Sequence, residues 1–504
     1  MSATFLLAAL IMVGSPLLLR AWYGAQWMIR PFSIFALMAI FYHLVTEVVI
    51  RITGATDTSS GRPSVEWVDQ GMLIAATTLA AMTLGYMVLG PRRHYPSHVD
   101  TGGLGRILDW RITGALTLPL LVATVQGQGY STGMPLEGEG IGITGLAMQF
   151  FVPLVVLTSF GYLLRHPTRW LPTVAVQSTV LVLAGQRLEV FIGAAMLTAL
   201  GARVGITPKA RHVLAILVLA GFLALGVTSV RASQGRETFY SNSGVGARVT
   251  AIAQGAANPL ESISASGNLL GDAAIRLNSN AWTGGIARAF HDGASTLGYR
   301  PFVSAFLSMI PSALYPDKLT ALSDQERSIP LWTLSDLGMP AINYLPGHLT
   351  YFLGAVGWVG NLILMAVVGA FMGAFESRVL RSNGYLAVIA YALLVQSALF
   401  FEQGLTFYLV GARSFVVLAP LFWVWLKVLG VFGGTRGKGC KSGSSGRSML
   451  RTGGGSGPAD TSTPSRTRSS RVHQAVGELS YWRRPRCGVA ENDGSHSDTR
   501  EFLP

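Results

Sequence analysis

The sequence predicts an all-α polytopic membrane protein with about eleven (ten to twelve) transmembrane helices and one large extracytoplasmic loop. Three observations predict this class. Half of the 504 residues are apolar, and only 12% are charged, where a soluble domain has about 25%. The mean hydropathy is +0.43. The apolar residues also form runs close to the roughly 20 that a helix needs to cross a bilayer core. A soluble globular fold is therefore excluded.

Eleven apolar runs are long enough, or nearly long enough, to span a membrane. Three of them, 112–125, 170–184 and 188–202, are near the lower limit, and they account for the range of ten to twelve. No basic residue precedes the first run, no clear cleavage site is present and another span follows directly, so we expect a retained span and not a signal peptide. The eleven runs are 3–19, 31–50, 71–90, 112–125, 143–164, 170–184, 188–202, 213–230, 347–374, 385–401 and 407–430.

Basic residues in the short loops predict the orientation, because Lys and Arg concentrate on the cytoplasmic side. One alternating set of loops carries 13 of them in about 57 residues, and the other set carries only Arg51, Arg62 and Arg187 in about 45. We therefore expect the N-terminus outside, the C-terminus in the cytoplasm and a multi-pass protein of the cytoplasmic (inner) membrane. The richer set is 20–30, 91–111, 165–169, 203–212 and 375–384.

We place the membrane domain at 1–430. Two segments of the chain differ from its apolar runs, one inside this domain and one after it. Residues 231–346 contain eight basic and eight acidic side chains and form the large extracytoplasmic loop, in which 301–314 is an apolar stretch too short to span. Residues 431–504 are rich in Gly, Ser, Thr and Arg, which predicts a disordered basic cytoplasmic tail.

Several classes of chemistry are disfavoured by the motifs. The net charge of +13 reflects the cytoplasmic loops and the tail, so it indicates topology and no nucleic acid partner. Cys440 and Cys487 both lie in the tail, which leaves the membrane domain without a thiol nucleophile or thiolate ligand. The stretch 434–442 fails as a phosphate-binding loop, and no Asp-x-Asp pair or HExxH helix occurs. We expect no metal site and no cofactor.

Ionisable residues inside apolar runs are candidate functional groups, because an unpaired charge is costly in a bilayer. His43 and Glu47 share one helix face and either form a buried pair or handle protons. Arg187 lies in a tight outer turn, and Arg413 lies inside 407–430. Only His43, His291 and His348 are predicted within or outside the membrane, so an outer imidazole base must be one of these.

Two stretches together with this architecture resemble the O-antigen polymerase family. They are LVLAGQRLEVFIGAAMLTAL at 181–200, which contains Arg187, and LTYFLGAVGWVGNLILMAVVGAFMGAF at 349–375, which follows the large loop. In the second stretch Tyr351, Gly354 and Gly357 are similar to the family pattern of an aromatic residue followed by Gly-x-x-Gly. His348 stands where the family usually has an acidic residue.

The resemblance implies a metal-independent glycosyltransferase that acts in surface polysaccharide biosynthesis in a bacterial envelope. A growing glycan on undecaprenyl diphosphate would be transferred to a second lipid-linked oligosaccharide repeat unit at the outer membrane face. Cationic side chains would neutralise the leaving diphosphate, and a base would activate the acceptor hydroxyl. For the base we expect His348, followed by His291 or Asp292. For the diphosphate we expect Arg187, Arg231, Arg413, Arg276 and Arg288.

The partners that this reading implies are undecaprenyl-diphosphate-linked oligosaccharides, membrane lipids, and other polysaccharide export and chain-length proteins. Three alternatives stay open. An O-antigen-ligase-type transferase has almost the same chemistry. A polysaccharide or lipid transporter (flippase) would place its site at mid-membrane. A polyprenyl-phosphate sugar transferase would use acids in an early outer loop, such as Asp57, Glu66 and Asp69, or Glu137 and Glu139.

Overall fold

The computed structural model describes residues 2–55, 63–90, 277–299, 347–382 and 385–399, with single positions between 196 and 310. Every regular element within these ranges is a helix. Four helices in the described part are long and apolar enough to cross a membrane. The expected class, an all-helical membrane protein, is therefore confirmed for this part of the chain. The total of about eleven spans and the limits of the large loop stay predictions.

Six main helices make up the described part, and we number them in chain order. Helix α2 is α-helical except for one π-helical turn, Phe41–Val45. Two 3₁₀ turns precede α2 and α5, at Gly24–Ile29 and His348–Thr350. The helices are α1 Ala3–Tyr23, α2 Pro31–Thr53, α3 Val65–Leu89, α4 Asn280–His291, α5 Leu353–Arg381 and α6 Tyr385–Leu399.

Five of the predicted apolar runs correspond to helices, and their ends differ where polar residues continue the helix. Helix α3 begins at Val65 and not at 71, because Glu66, Asp69 and their neighbours are helical although they are not apolar. Helix α5 continues to Arg381. The remaining predicted runs lie wholly or almost wholly outside the described residues, as do 301–314 and the tail 431–504.

Helix α1 presents one face to α3 and leaves the opposite face exposed. Ser2 begins the helix as an N-cap, and its side-chain oxygen accepts a hydrogen bond from the Phe5 amide at 3.0 Å. Leu6, Leu10 and Leu17 are exposed, as expected for an apolar surface that faces lipid. The buried residues recur at helical spacing: Phe5, Ala8, Met12, Ser15, Leu19 and Tyr23.

Glycines allow α3 and α5 to pack with their backbones in close contact. A β-carbon on Gly85 would overlap the carbonyl group of Ala366, and one on Gly369 would overlap the carbonyl group of Met82. Van der Waals packing between small residues is a main source of helix association in a bilayer. Gly369 lies beside Met82, and Gly373, one turn later, lies beside Tyr86, also one turn later. The residue numbers of both helices therefore increase in the same direction. Helices α3 and α5 are therefore parallel.

Helix α4 packs along the first part of α3, where α5 does not reach. A β-carbon on Gly71 would lie 2.5 Å from the Gly284 nitrogen and 2.6 Å from the Asn280 oxygen. Residues Asn280–Ile286 are buried, although the sequence places them in the large extracytoplasmic loop. The predicted loop therefore contributes a helix to the packing of the apolar helices.

A buried polar cluster joins the helices at one end, which we call the Arg30 face. Tyr86 donates to Glu376 Oε1 at 2.6 Å, and Arg30 Nη1 lies 3.2 Å from the Tyr86 hydroxyl and 3.7 Å from Glu376. The Phe32 amide donates to the other Glu376 oxygen at 3.3 Å. The Arg30 guanidinium also lies 3.6 Å from the centre of the Tyr23 ring. This cluster connects α1, α2, α3 and α5.

The close α3–α5 contact generates a stability prediction. In Gly85→Ala we expect a loss of about 1–3 kcal/mol of folding free energy, because the added methyl group must displace the Ala366 carbonyl group. Gly14→Ala is the matched control, since nothing lies within 4 Å of its β-carbon position in α1. Thermal unfolding in detergent measures both. Equal stability of the two variants would contradict the contact.

Candidate functional site

The π turn in the middle of α2 is the first unusual feature of the candidate site. The Thr46 amide donates to the Phe41 carbonyl, five residues earlier, so the turn contains one residue more than a regular helix. His43 lies in this turn and is completely buried. A π turn interrupts the regular ladder of backbone hydrogen bonds, and such turns are frequent at functional sites. Carbonyl groups in the turn therefore accept hydrogen bonds from other groups.

The first residue of α4 and the residue before it supply those donors. Asn280 Nδ2 donates to the His43 carbonyl at 2.7 Å, and the Ser279 amide donates to the Tyr42 carbonyl at 3.4 Å. Asn280 Oδ1 lies 2.6 Å from His43 Nδ1. An amide oxygen only accepts, so Nδ1 of His43 carries the hydrogen and donates it. Asn280 thus bonds both the side chain and the backbone of one residue in the π turn.

Asn278 caps α4 and connects it to the next turn of α2. Its side-chain oxygen accepts hydrogen bonds from the amides of Asn280 at 3.0 Å and Ala281 at 3.4 Å. Its side-chain nitrogen donates to Glu47 Oε2 at 3.0 Å and to Thr46 Oγ1 at 3.1 Å. All polar atoms of this amide therefore have a role in joining α4 to α2.

Charged residues continue this network to the end of the helices opposite the Arg30 face, which we call the Ser2 face. Arg51 Nε donates to Glu47 Oε1 at 2.9 Å, and Arg51 Nη2 bonds Asp69. Ser2 donates to the other oxygen of Asp69. The Arg51 guanidinium lies 4.3 Å from the centre of the Phe5 ring. A chain of polar contacts therefore runs from the Ser2 face to the middle of α2.

His43 and Glu47 were expected to form a buried pair or to handle protons. Both are buried, but the structure shows His43 bonded to Asn280 and Glu47 bonded to Arg51 and Asn278. The i, i+4, i+8 spacing of His43, Glu47 and Arg51 was the available sequence signal for this polar face. Asn278 and Asn280 had no comparable signal, because their partners lie more than 230 positions earlier in the chain.

His348 lies inside the helix packing, away from the mouth of a span. It belongs to the 3₁₀ turn His348–Thr350, and α5 begins only at Leu353. Its side chain is 6% exposed, and its ring stacks on Phe35 with centroids 6.0 Å apart. Asn361 Nδ2 donates to the Leu349 carbonyl at 2.9 Å and to Thr78 Oγ1 at 3.2 Å. This turn therefore lies beside the middle of α3.

The turn and α4 also contact each other. The hydroxyl groups of Thr283 and Thr350 are 2.9 Å apart. Farther along, the amides of Leu297 and Gly298 donate to the carbonyls of Gly354 and Ala355 at 3.0 and 2.9 Å. Those carbonyls precede the kink of α5 at Gly357, where φ is +70°. The described segments 277–299 and 347–356 thus pack against each other.

The exposed end of α4 brings together three of the predicted site residues. Arg288 Nε lies 3.5 Å from Asp292 Oδ2, and both side chains are 59% exposed. His291 is exposed, and its ring centre lies 5.2 Å from that of Trp67 in α3. We call Arg288, His291, Asp292 and Trp67 the α4-end cluster. An exposed guanidinium beside an imidazole and a carboxylate can bind an anion and accept a proton.

The remaining predicted site residues are not all described. His348 lies apart from the α4-end cluster, and Arg187, Arg231, Arg276 and Arg413 lie outside the described residues. Within the described ranges, no group of three or more His, Cys, Asp or Glu side chains could ligate a metal ion.

Comparisons of the chain with protein-family models, with curated proteins and with solved structures find no match.

The buried and exposed arginines of α2 and α4 generate a paired prediction. In Arg51→Met we expect a loss of about 3–5 kcal/mol of folding free energy, because Glu47 and Asp69 are left buried without their cation. In Arg288→Met we expect the folding free energy to fall by at most about 1 kcal/mol, because the ion pair of Arg288 with Asp292 is exposed to solvent. Chemical unfolding in detergent compares them. A similar loss in both variants would rule out the buried network as the stabilising one.

Proposed function

We propose that this protein is a membrane glycosyltransferase of the polymerase type. It transfers a growing glycan from undecaprenyl diphosphate to a second lipid-linked repeat unit at the outer membrane face. The observation that carries the proposal is the α4-end cluster. It gathers a cation, an imidazole and a carboxylate at the exposed end of a helix whose other end is packed among apolar helices. The sequence resemblance supports the same reaction, and the charges of the short loops support its location at the outer face of the membrane.

The outer location of the cluster follows from the predicted orientation. Helices α1 and α3 begin at the Ser2 face, and the positive-inside asymmetry predicts that face outside. Trp67 is close to the start of α3, and His291 contacts it. A diphosphate attached to lipid in the outer leaflet would lie at the same level as this cluster.

Each residue of the cluster has a role in the proposed transfer. The acceptor hydroxyl oxygen attacks the anomeric carbon of the donor sugar, and the bond from that carbon to the diphosphate oxygen breaks. His291 accepts the hydroxyl proton. Arg288 binds the diphosphate, which leaves with the bonding electrons, through the planar fork of its guanidinium. Asp292 orients Arg288 through their ion pair.

This assignment changes the order of the candidate bases. His348 was the first expectation, but its side chain is buried and stacked on Phe35. A base must come within hydrogen-bond reach of the hydroxyl group that it deprotonates, and His291 is exposed. Arg187, Arg231, Arg276 and Arg413 stay predicted phosphate ligands.

A transporter of lipid-linked glycan is the second candidate, and one observation favours it. The non-helical residues Asn278 and Ser279 and the turn at His348–Thr350 are buried among the apolar helices and carry polar side chains. Transporters place their sites on such interrupted segments near the middle of the membrane. In the polymerase, the same segments support the loop that carries the α4-end cluster.

Deletion of the gene, followed by analysis of surface glycan and lipid-linked intermediates, separates these candidates. A polymerase defect leaves single repeat units at the outer face. A ligase-type transferase instead leaves long lipid-linked polymer, and a transporter leaves repeat units at the cytoplasmic face. Either of these last two results contradicts the polymerase proposal.

Substitutions in the α4-end cluster test the roles. We expect Arg288→Ala and His291→Ala each to reduce transfer by about 10² or more at an unchanged protein level. Arg288→Lys should also reduce it, because Lys lacks the bidentate fork. Arg381→Ala is the matched control, since Arg381 is an exposed arginine near the Arg30 face. Polymer length and yield in cells are the measurements. Normal polymer from His291→Ala removes His291 as the base.

Labelling of single cysteines tests the orientation. Both native cysteines, Cys440 and Cys487, would be replaced by Ser, and Cys would be introduced at exposed Thr296. We expect a membrane-impermeant maleimide to label position 296 in intact cells. A variant that retains only Cys440 should be labelled only after the cells are permeabilised. The opposite pattern would place the α4-end cluster in the cytoplasm and end the proposal.

A further inference from the structure

We infer that His43 and Asn280 are positioning residues. Their contact sets the depth and direction of α4, so that the α4-end cluster lies at the outer face. This inference rests on the proposed function for the identity of the reaction, but the contact itself can be tested without it. Neither residue lies near enough to the cluster to touch a substrate there, because they belong to the opposite end of α4.

The contact is specific for one register between α2 and α4. Asn280 uses its oxygen for His43 Nδ1 and its nitrogen for the His43 carbonyl, at 2.6 and 2.7 Å. Because both bonds go to the same residue, a shift of α4 by one residue would break both. The Ser279–Tyr42 backbone bond adds a third restraint in the same π turn.

The register is transmitted along α4 to the reacting end. Helix α4 has 12 residues, so Asn280 and His291 are separated by roughly 16 Å of continuous helix at about 1.5 Å per residue. The Gly71–Gly284 approach prevents α4 from moving closer to α3. A displacement at Asn280 therefore moves the α4-end cluster, and a misplacement of about 1 Å can reduce a rate by about 10²-fold.

Other contacts preserve the docking of α4 when this one is removed. Asn278 bonds Glu47 and Thr46, and the buried Trp282 belongs to an apolar cluster with Ile50 and Ile74. Loss of the Asn280 side chain should therefore loosen the position of α4 without releasing it. The expected consequence is a lower kcat with little change of KM or of folded protein.

Kinetic analysis of purified protein in proteoliposomes with lipid-linked repeat units tests the inference. We expect Asn280→Ala to lower kcat at least tenfold and to change KM less than threefold. Ser377→Ala is the control, because Ser377 is also buried with two side-chain hydrogen bonds, but these go to the Leu89 and Gly373 carbonyls near the Arg30 face, away from α4. Its kcat per folded molecule should stay within twofold of the unmodified protein. An equal fall of kcat in both variants would overturn the inference.

Substitutions of His43 separate positioning from proton transfer. His43→Asn retains a side-chain donor for Asn280 Oδ1, so we expect its kcat to stay within threefold of the unmodified protein. His43→Leu has no donor, and its kcat should fall at least tenfold. If His43→Asn is as inactive as His43→Leu, His43 has a chemical role and the positioning inference is wrong.

Disulfide cross-linking measures the position of α4 relative to the His348–Thr350 turn and needs no transferase assay. Thr283→Cys and Thr350→Cys, in a chain whose Cys440 and Cys487 are replaced by Ser, should form a disulfide rapidly, because the two hydroxyl groups are 2.9 Å apart. Adding Asn280→Ala should slow the cross-linking, and adding Ser377→Ala should change it at most twofold. Unchanged cross-linking in Asn280→Ala would overturn the inference. If the unmodified protein has no polymerase activity, the proposed function fails, while this measurement still decides the docking of α4.

Discussion

The requirement that backbone polar groups inside a membrane be satisfied by the protein itself is the constraint on which this structure depends. The π turn of α2 presents the carbonyl groups of Tyr42 and His43 inside the helix packing, where Ser279 and Asn280 donate hydrogen bonds to them and Thr46 Oγ1 also donates to Tyr42. In the same place, the amides at the start of α4 need acceptors, and Asn278 provides one. The start of α4 therefore donates hydrogen bonds to the π turn of α2.

Two separate groups of polar residues join the described helices, one at each end. At the Arg30 face, a compact buried cluster of Arg30, Tyr86 and Glu376 joins helices that are otherwise packed through glycine and apolar contacts. At the Ser2 face, the polar chain from Ser2 to His43 joins α1, α2 and α3 to α4, a helix within the predicted large loop. The exposed charges of α4 lie beyond the second arrangement. We propose that stability is concentrated in the buried contacts and the chemistry in the exposed ones.

The contrast between His348 and His291 shows why exposure decides the assignment of roles. Both are outer histidines in the sequence, and His348 is closer to an apolar run. In the structure, His348 packs on Phe35, while His291 contacts Trp67 and stays exposed. A buried imidazole can organise its neighbours, but a base must reach a substrate. The polymerase proposal therefore uses the exposed residues of α4 and gives the buried polar residues a supporting role.

The sequence by itself determined the helical membrane class and the approximate position of the four long apolar helices that the structure describes, because about 20 apolar residues are a local requirement for crossing a bilayer. It also identified His43 and Glu47 as candidates, since charge in an apolar segment is visible in one dimension, whereas Arg288, His291 and Asp292 were proposed from their predicted outer location and the family resemblance. Only the tertiary structure decided their partners. His43 and Asn280 are 237 positions apart, and Gly71 and Gly284 are also distant in the chain. Contacts over such separations depend on how helices pack, which apolar runs do not specify, because a lipid-facing side chain and a helix-facing side chain are equally apolar.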